Sequence, residues 1–120
     1  MTTPPPYWLP LRLSATAQTL QLSWLFTQQH RFTEPFFDDS IAVCKRLFAE
    51  NKATDKPLTG IEVLLQPTPM PAAKTSVILH HVSRCGSTLI AQLMALNEPM
   101  IVLSEVPVLD DVLQLLPERD

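Results

Sequence analysis

The residue types best suited to chemistry lie together between two apolar stretches, in the run Ser83-Arg84-Cys85-Gly86-Ser87-Thr88. Gly86 is one of only two glycines in the chain, and a residue without Cβ lets the backbone approach a ligand closely. Ser87 and Thr88 would begin a helix, whose first N–H groups have no partner within the helix. Such a helix end carries about half a positive charge and binds phosphate or sulfate, while the guanidinium of Arg84 suits the same oxyanions. We interpret the run as an anion-binding loop.

The bulk composition limits the classes of function. At 120 residues, with 46% apolar and 18% charged residues, the chain is one globular domain or part of one. A net charge of -3 argues against a general binder of nucleic acid or membrane surfaces, so a cationic site must be local. No apolar run approaches the roughly 20 residues of a membrane span, and residues 1–6 do not resemble a secretory signal. Cys44 and Cys85 are expected as free thiols in a reducing cytoplasm, with one disulfide as the alternative.

Two apolar segments flank the loop and its helix. The β-branched run 76–82 predicts a buried strand, the helix follows from Ser87, and 100–104 predicts a second buried strand. A strand–helix–strand unit closes as a right-handed crossover with parallel strands. Glu105 would then lie just past the second strand, at the end of the sheet where open α/β folds bind ligands.

Alternating apolar residues mark a hairpin near the start of the chain. Leucines at every second position in 9–13 and apolar residues at every second position in 20–26 predict two antiparallel strands. The range 16–28 also contains alanine, glutamine and leucine, so a helix is the alternative there.

The spacing of apolar residues and the positions of capping residues predict three further elements. Apolar residues at intervals of three and four predict a helix over 39–51, with cap and first-turn residues at Asp38, Asp39 and Ser40. Alternation predicts a strand over 61–66, and a final helix is expected over 108–116.

Spaced prolines mark the one predicted linker, because they exclude both a helix and a central strand. We therefore divide the chain into a small α+β subdomain (1–66), a proline-rich linker (67–73) and the start of a P-loop-type domain (74–120). The expected fold class is α/β, a partial parallel sheet preceded by the α+β subdomain. Two parallel apolar strands need cover on both faces, so the second part is expected to be incomplete.

Three known loop chemistries can be compared with this one. A nucleotide triphosphatase loop has the pattern Gly-x-x-x-x-Gly-Lys-Ser/Thr, but His81 replaces its first glycine and Ser87 its lysine. A tyrosine-phosphatase loop has an arginine six positions after its cysteine, where this chain has Ala91. The remaining pattern is a basic residue followed by x-Gly-Ser/Thr-Thr/Ser at a helix start, as in sulfotransferases.

The loop resembles that last pattern. His81 through Leu89, followed by Leu103-Ser104-Glu105, is similar to the bacterial sulfotransferase-like P-loop family. The earlier segment 32–37 is also similar to one that precedes the loop in such proteins. The specific resemblance covers about thirty residues, from Val77 to Glu105.

The resemblance implies a donor, a reaction and a role for each loop residue. The loop, Ser83 included, would hold the 5′-phosphosulfate of 3′-phosphoadenosine-5′-phosphosulfate through backbone N–H groups and two hydroxyls. Arg84 would stabilise the charge on the bridging oxygen as the sulfuryl group leaves, and Glu105 would take the proton of an acceptor hydroxyl or amine. No metal is implied.

The same family requires an arginine and a serine from a later strand to bind the 3′-phosphate, and no strand follows Glu105 here. We expect an N-terminal part of such an enzyme, inactive alone. The alternative is a non-catalytic phosphate-binding or interaction module, with self-association through an exposed sheet edge. A small P-loop kinase or NTPase is less favoured. The acceptor is unidentified.

Several loop residues also have plainer interpretations. Gly86-Ser87-Thr88 could simply cap a helix, and Glu105 could be a solvated residue after a strand. His80 and His81 would alternate sides of a strand, which predicts one of them hydrogen-bonded in the core, with a catalytic role for His81 as the lesser alternative. Cys85, beside Arg84 at a helix N-terminus, is expected to have a lowered pKa.

Overall fold

The computed structural model describes residues 7–67, 74–75 and 77–115. In these ranges the chain is mixed α/β, with one three-stranded antiparallel sheet and three α-helices. The elements are β1 (Trp8–Ala15), β2 (Leu20–Phe26), α1 (Phe37–Leu47), β3 (Leu58–Gly60), α2 (Ser87–Ala95) and α3 (Pro107–Leu115). Short 3-10 helices lie at Ala49–Asn51 and Ile61–Leu65.

The predicted hairpin is confirmed. β1 and β2 pair antiparallel, with Leu13 opposite Leu22, and the order of the sheet is β1-β2-β3. The turn is closed by Thr16, whose N–H donates to the carbonyl of Thr19 at 2.8 Å. The helical alternative for 16–28 is wrong, because the alternating apolar residues bury one face of the hairpin.

The core lies on that buried face. It contains Leu13, Leu22, Trp24 and Val63, and Trp8 with Val108 and Val112 of α3 packs against them. The indole N–H of Trp24 donates to the hydroxyl of Thr59 at 2.9 Å, so the buried ring keeps its hydrogen bond. The C-terminal helix is thus part of the same core as the N-terminal hairpin.

Two predicted elements differ from the structure in position. The helix predicted over 39–51 begins earlier, at Phe37, and its α-helical part ends at Leu47. No side chain caps it, because the N-cap residue is Phe36, which has no acceptor, and the hydroxyl of Ser40 inside the helix donates to Glu34 at 2.8 Å. The predicted helix over 108–116 is α3, which begins at Pro107, a first-turn position where a missing N–H costs nothing.

The strand predicted over 61–66 is wrong. The strand lies three residues earlier, where Thr59 pairs with Leu22, and Ile61–Leu65 is a 3-10 helix. The hydrogen bond between Trp24 and Thr59 fixes this register. Val63 reaches the core from the 3-10 helix, so burial of an apolar side chain did not require a strand.

The predicted parallel sheet is also not found among the described residues. The segments 77–82 and 100–104 form neither strand nor helix, and the sheet that does form is antiparallel. Ile78 is 71% exposed, Val82 74% and Ile101 72%. Parallel strands of this composition need cover on both faces, and α3 covers β1 instead. Of the predicted linker prolines, only Pro67 lies within the described residues.

A buried carboxylate joins α3 to β1. Asp111 accepts a hydrogen bond from the backbone N–H of Leu13 at 2.9 Å through one oxygen. Its other oxygen lies 2.9 Å from Nη2 of Arg12. A second connection holds α2, since the guanidinium of Arg31 donates to the carbonyl of Ala95 at 2.7 Å. The N-terminal region therefore positions both helices that flank the loop and Glu105.

We expect Asp111→Ala to lower the free energy of unfolding by about 1–3 kcal/mol, because the buried N–H of Leu13 loses its acceptor. Arg12→Ala removes the exposed partner and should cost at most about 1 kcal/mol. Urea unfolding followed by tryptophan fluorescence measures both. Equal losses for the two variants would contradict a role for the backbone hydrogen bond.

A second polar network surrounds Glu34, which lies in the segment 32–37. The carboxylate of Glu34 accepts from Ser40 at 2.8 Å and lies 2.9 Å from Nε2 of His30. Burial opposes ionisation of Glu34, but hydrogen bonds from Ser40, its own backbone N–H and His30 outweigh it, so its pKa lies below the usual 4.5.

A lowered folded-state pKa stabilises the protein above the unfolded value of 4.5, and this stability is lost as the pH falls through the folded value. We therefore expect the destabilisation caused by Ser40→Ala to be greatest above that pH and to shrink in acid. Urea unfolding across a pH series tests this. Ser14→Ala, which removes an exposed hydroxyl from β1, should give a difference that does not change with pH. Parallel pH profiles for the two variants would refute the assignment.

Candidate anion-binding site

Two residues of the loop, Arg84 and Gly86, have a positive φ. Gly86 is the residue before α2 and has φ 86°, in the left-handed region that glycine tolerates. A Cβ at Gly86 would meet no atom within 4 Å, so conformation rather than space favours glycine there. Arg84 has φ 59° without being glycine, which costs about 1–3 kcal/mol.

The first turn of α2 has free hydrogen-bond donors. The N–H of Ile90 bonds to the carbonyl of Gly86 at 3.3 Å, as the first regular helical bond. Across the described part of the chain, the N–H groups of Gly86, Thr88 and Leu89 have no backbone acceptor. These donors lie beside the hydroxyls of Ser87 and Thr88, so the loop can donate several hydrogen bonds to an oxyanion.

Arg84 supplies the positive charge at this turn. Its side chain is exposed, and no described residue forms an ion pair or hydrogen bond with the guanidinium. Ser83 and Cys85 on either side of it are exposed as well. A cation without a carboxylate partner keeps its full attraction for an incoming anion.

The thiol of Cys85 lies against Ser87. The backbone N–H of Ser87 is the main hydrogen bond that lowers the pKa of Cys85; slight burial opposes it, and the Ser87 hydroxyl and the backbone of Val82 and Cys85 lower the pKa further. The predicted direction is confirmed, although the cause is hydrogen bonding rather than the charge of Arg84. Cys44 differs, because burial and then the charge of Glu34 raise its pKa to about 11. Both cysteines are free thiols, as expected.

His81 connects the loop to Glu105. Its Nδ1 lies 3.1 Å from the hydroxyl oxygen of Ser87, and its Nε2 lies 3.7 Å from Oε1 of Glu105. The structure thus brings Glu105 beside the loop even though the strand predicted before it does not form. Glu105 has φ 52°, so its backbone is in the same uncommon region as that of Arg84.

The prediction that one of the two histidines lies in the core is wrong. Both His80 and His81 are exposed, because the segment that contains them is not covered by a second layer. The bridging position of His81 was not predicted. Its partners, Ser87 and Glu105, lie 6 and 24 positions away in the sequence. Ser87 belongs to the same motif as His81, but no pattern in the sequence indicates the contact with Glu105.

A cleft of about 400 Å³ lies on the other side of Glu105. It is bordered by residues of β1, of α3 and of the start of α1 with its N-cap, namely Arg12, Phe36, Phe37, Asp38, Pro107, Asp110, Asp111 and Gln114. No residue of the loop borders it. Glu105 is therefore the residue that faces both the cleft and, through His81, the loop 83–88.

No protein-family model, curated protein or solved structure matches the chain. Among the described helices, none has the length and apolar character needed to cross a bilayer. Within the same residues, no group of three His, Cys, Asp or Glu side chains is placed to hold a metal ion. The function must therefore be inferred from the loop and its immediate neighbours.

We expect Cys85 to react with iodoacetamide with a thiolate midpoint below the ordinary 9.0, and Cys44 to stay unreactive in the folded protein. Ser87→Ala should raise the Cys85 midpoint only in part, because the backbone N–H that contributes most remains. Alkylation rates across pH, resolved by peptide mass spectrometry, measure each thiol separately. A Cys85 midpoint at or above 9.0 would show that the loop donors do not reach the sulfur.

Proposed function

We propose that the loop 83–88 binds the 5′-phosphosulfate of 3′-phosphoadenosine-5′-phosphosulfate and that the site serves sulfuryl transfer to an acceptor hydroxyl or amine. One observation carries the proposal: His81 brings the exposed carboxylate of Glu105 to a loop whose N–H donors and Arg84 guanidinium have no partner among the described residues. An anion site and a base candidate thus lie next to each other.

The anion side of the proposed reaction uses the loop donors. The acceptor oxygen or nitrogen attacks sulfur, the bond from sulfur to the bridging oxygen breaks, and negative charge develops on the departing phosphate. The guanidinium of Arg84 stabilises that charge but does not protonate the leaving oxygen, since arginine keeps its proton. The N–H groups of Gly86 and Thr88 and the Ser87 hydroxyl hold the phosphate.

The acceptor side uses Glu105. Its carboxylate is 62% exposed and borders the cleft, so an acceptor in the cleft can approach it directly. The carboxylate takes the proton that the acceptor loses as the new bond to sulfur forms. Asp38 and Asp110 make the border of the cleft acidic, which favours a neutral polar or a basic acceptor over an acidic one.

The parallel P-loop sheet and the division at the proline-rich linker belong to the same proposal. Segments 77–82 and 100–104 supply its two adjacent strands once both of their faces are covered. Their present exposure also favours a second candidate function, a non-catalytic phosphate-binding module that associates through this apolar surface. A nucleotide triphosphatase is disfavoured, because Ser87 occupies the place of the essential lysine.

Isothermal titration with 3′-phosphoadenosine-5′-phosphate tests the proposal. We expect binding without magnesium, weakened about tenfold to a hundredfold by Arg84→Ala, which corresponds to the roughly 1.5–3 kcal/mol of a charged hydrogen bond. Arg46→Ala is the matched control, since it removes an exposed arginine from α1 and should leave the affinity unchanged.

Three other results would count against this function. Magnesium-dependent ATP binding would favour an NTPase. Equal affinity for inorganic sulfate and the nucleotide would favour the phosphate-binding module. Unchanged affinity in Arg84→Ala would place the anion elsewhere.

A further inference from the structure

The imidazole of His81 lies between two oxygen groups of different character. Nδ1 is 3.1 Å from the Ser87 hydroxyl, which can donate or accept, and Nε2 is 3.7 Å from the Glu105 carboxylate, which accepts only. In a neutral imidazole one nitrogen donates and the other accepts. The carboxylate favours the hydrogen on Nε2, so Nδ1 is the acceptor and the Ser87 hydroxyl donates to it.

An anion in the loop changes this assignment. The Ser87 hydroxyl has a single hydrogen, and a bound oxyanion would take it. The hydroxyl can then only accept from His81, which requires a hydrogen on Nδ1 as well as on Nε2. Both nitrogens carry a hydrogen only in the imidazolium form, which also adds a positive charge next to the anion and opposite Glu105.

We propose that His81 is a positioning residue of the candidate anion site, which acts on the anion through the Ser87 hydroxyl and takes up a proton when the loop binds a dianion. This inference rests on the proposed function, because it assigns His81 a role in the same site. By linkage, the proton and the anion strengthen each other's binding by the same factor. With one proton taken up, the affinity rises by up to about tenfold for each pH unit through the titration of the imidazole.

The effect of His81 on the pH dependence of anion binding must be distinguished from the effects of the other charged groups around it. Arg84 carries a fixed positive charge, and Glu105 faces Nε2 with its negative charge. Cys85 is the important competitor, because its thiolate would repel an anion as the pH rises and so mimic loss of a proton from His81. His80, next in the chain, is exposed and offers a matched histidine control.

Inorganic sulfate is the probe, since it remains a dianion over the relevant range, whereas a phosphate monoester titrates near pH 6. Amide chemical-shift titrations between about pH 5.5 and 8 give the dissociation constant at each pH. We expect the wild-type affinity to rise steeply as the pH falls, and the affinity of His81→Gln to remain measurable but nearly flat. His80→Gln and Cys85→Ala should both keep the wild-type slope.

A second readout follows the imidazole itself. At a fixed pH, sulfate should shift the ring nitrogen signals of His81 towards those of a ring with a hydrogen on both nitrogens, and it should leave the signals of His80 unchanged. Unchanged ring signals of His81 at saturating sulfate would contradict the inference.

Three results would overturn the inference. If wild type and His81→Gln share one pH dependence, or if Cys85→Ala removes it, His81 is not the proton acceptor, although the anion site stands. If the wild-type chain binds neither sulfate nor 3′-phosphoadenosine-5′-phosphate at any pH, the inference and the proposed function fall together.

Discussion

The docking of α3 on the hairpin is the constraint on which the rest of the described structure depends. The buried carboxylate of Asp111 receives the N–H of Leu13 and faces Arg12, while valines of α3 join the hairpin core. A buried acceptor of this kind has one satisfactory position, because moving it leaves both the carboxylate and the backbone N–H without partners. Glu105 lies two residues before α3, so the same contact places the carboxylate of the candidate site. Arg31 fixes the far end of α2 in a comparable way.

The loop is held by these polar contacts rather than by a covered sheet. Apolar residues such as Ile78, Val82 and Ile101 in the segments around α2 are exposed. The N-terminal hairpin has a buried core and the loop region has little of one, so the two parts should differ in local stability.

The elements that could be predicted from the sequence are those specified by local pattern. Alternation identified the hairpin, and Gly86 marked the start of α2 with a residue whose backbone suits that position. The strand near Thr59 was misplaced because its register depends on a contact that is distant in the sequence. Thr59 accepts a hydrogen bond from Trp24, which lies 35 positions away. Pairing of 77–82 with 100–104 likewise depends on cover from other layers, which no local pattern encodes. The loop residues were visible as a motif, but the place of His81 among them required coordinates.

The backbone gives an independent reason to connect Arg84 with Glu105. Non-glycine residues with positive φ are uncommon, and in the described chain they are Tyr7, Gln28, Arg84 and Glu105. Two of these four are Arg84, predicted from the sequence to act on the leaving group, and Glu105, predicted to act on the acceptor. Each costs about 1–3 kcal/mol and persists only where the surroundings enforce it. At Arg84 the enforcing neighbour is the turn into α2, and at Glu105 it is the entry into α3. Both residues therefore hold these uncommon backbone conformations just before a helix, close to the candidate site.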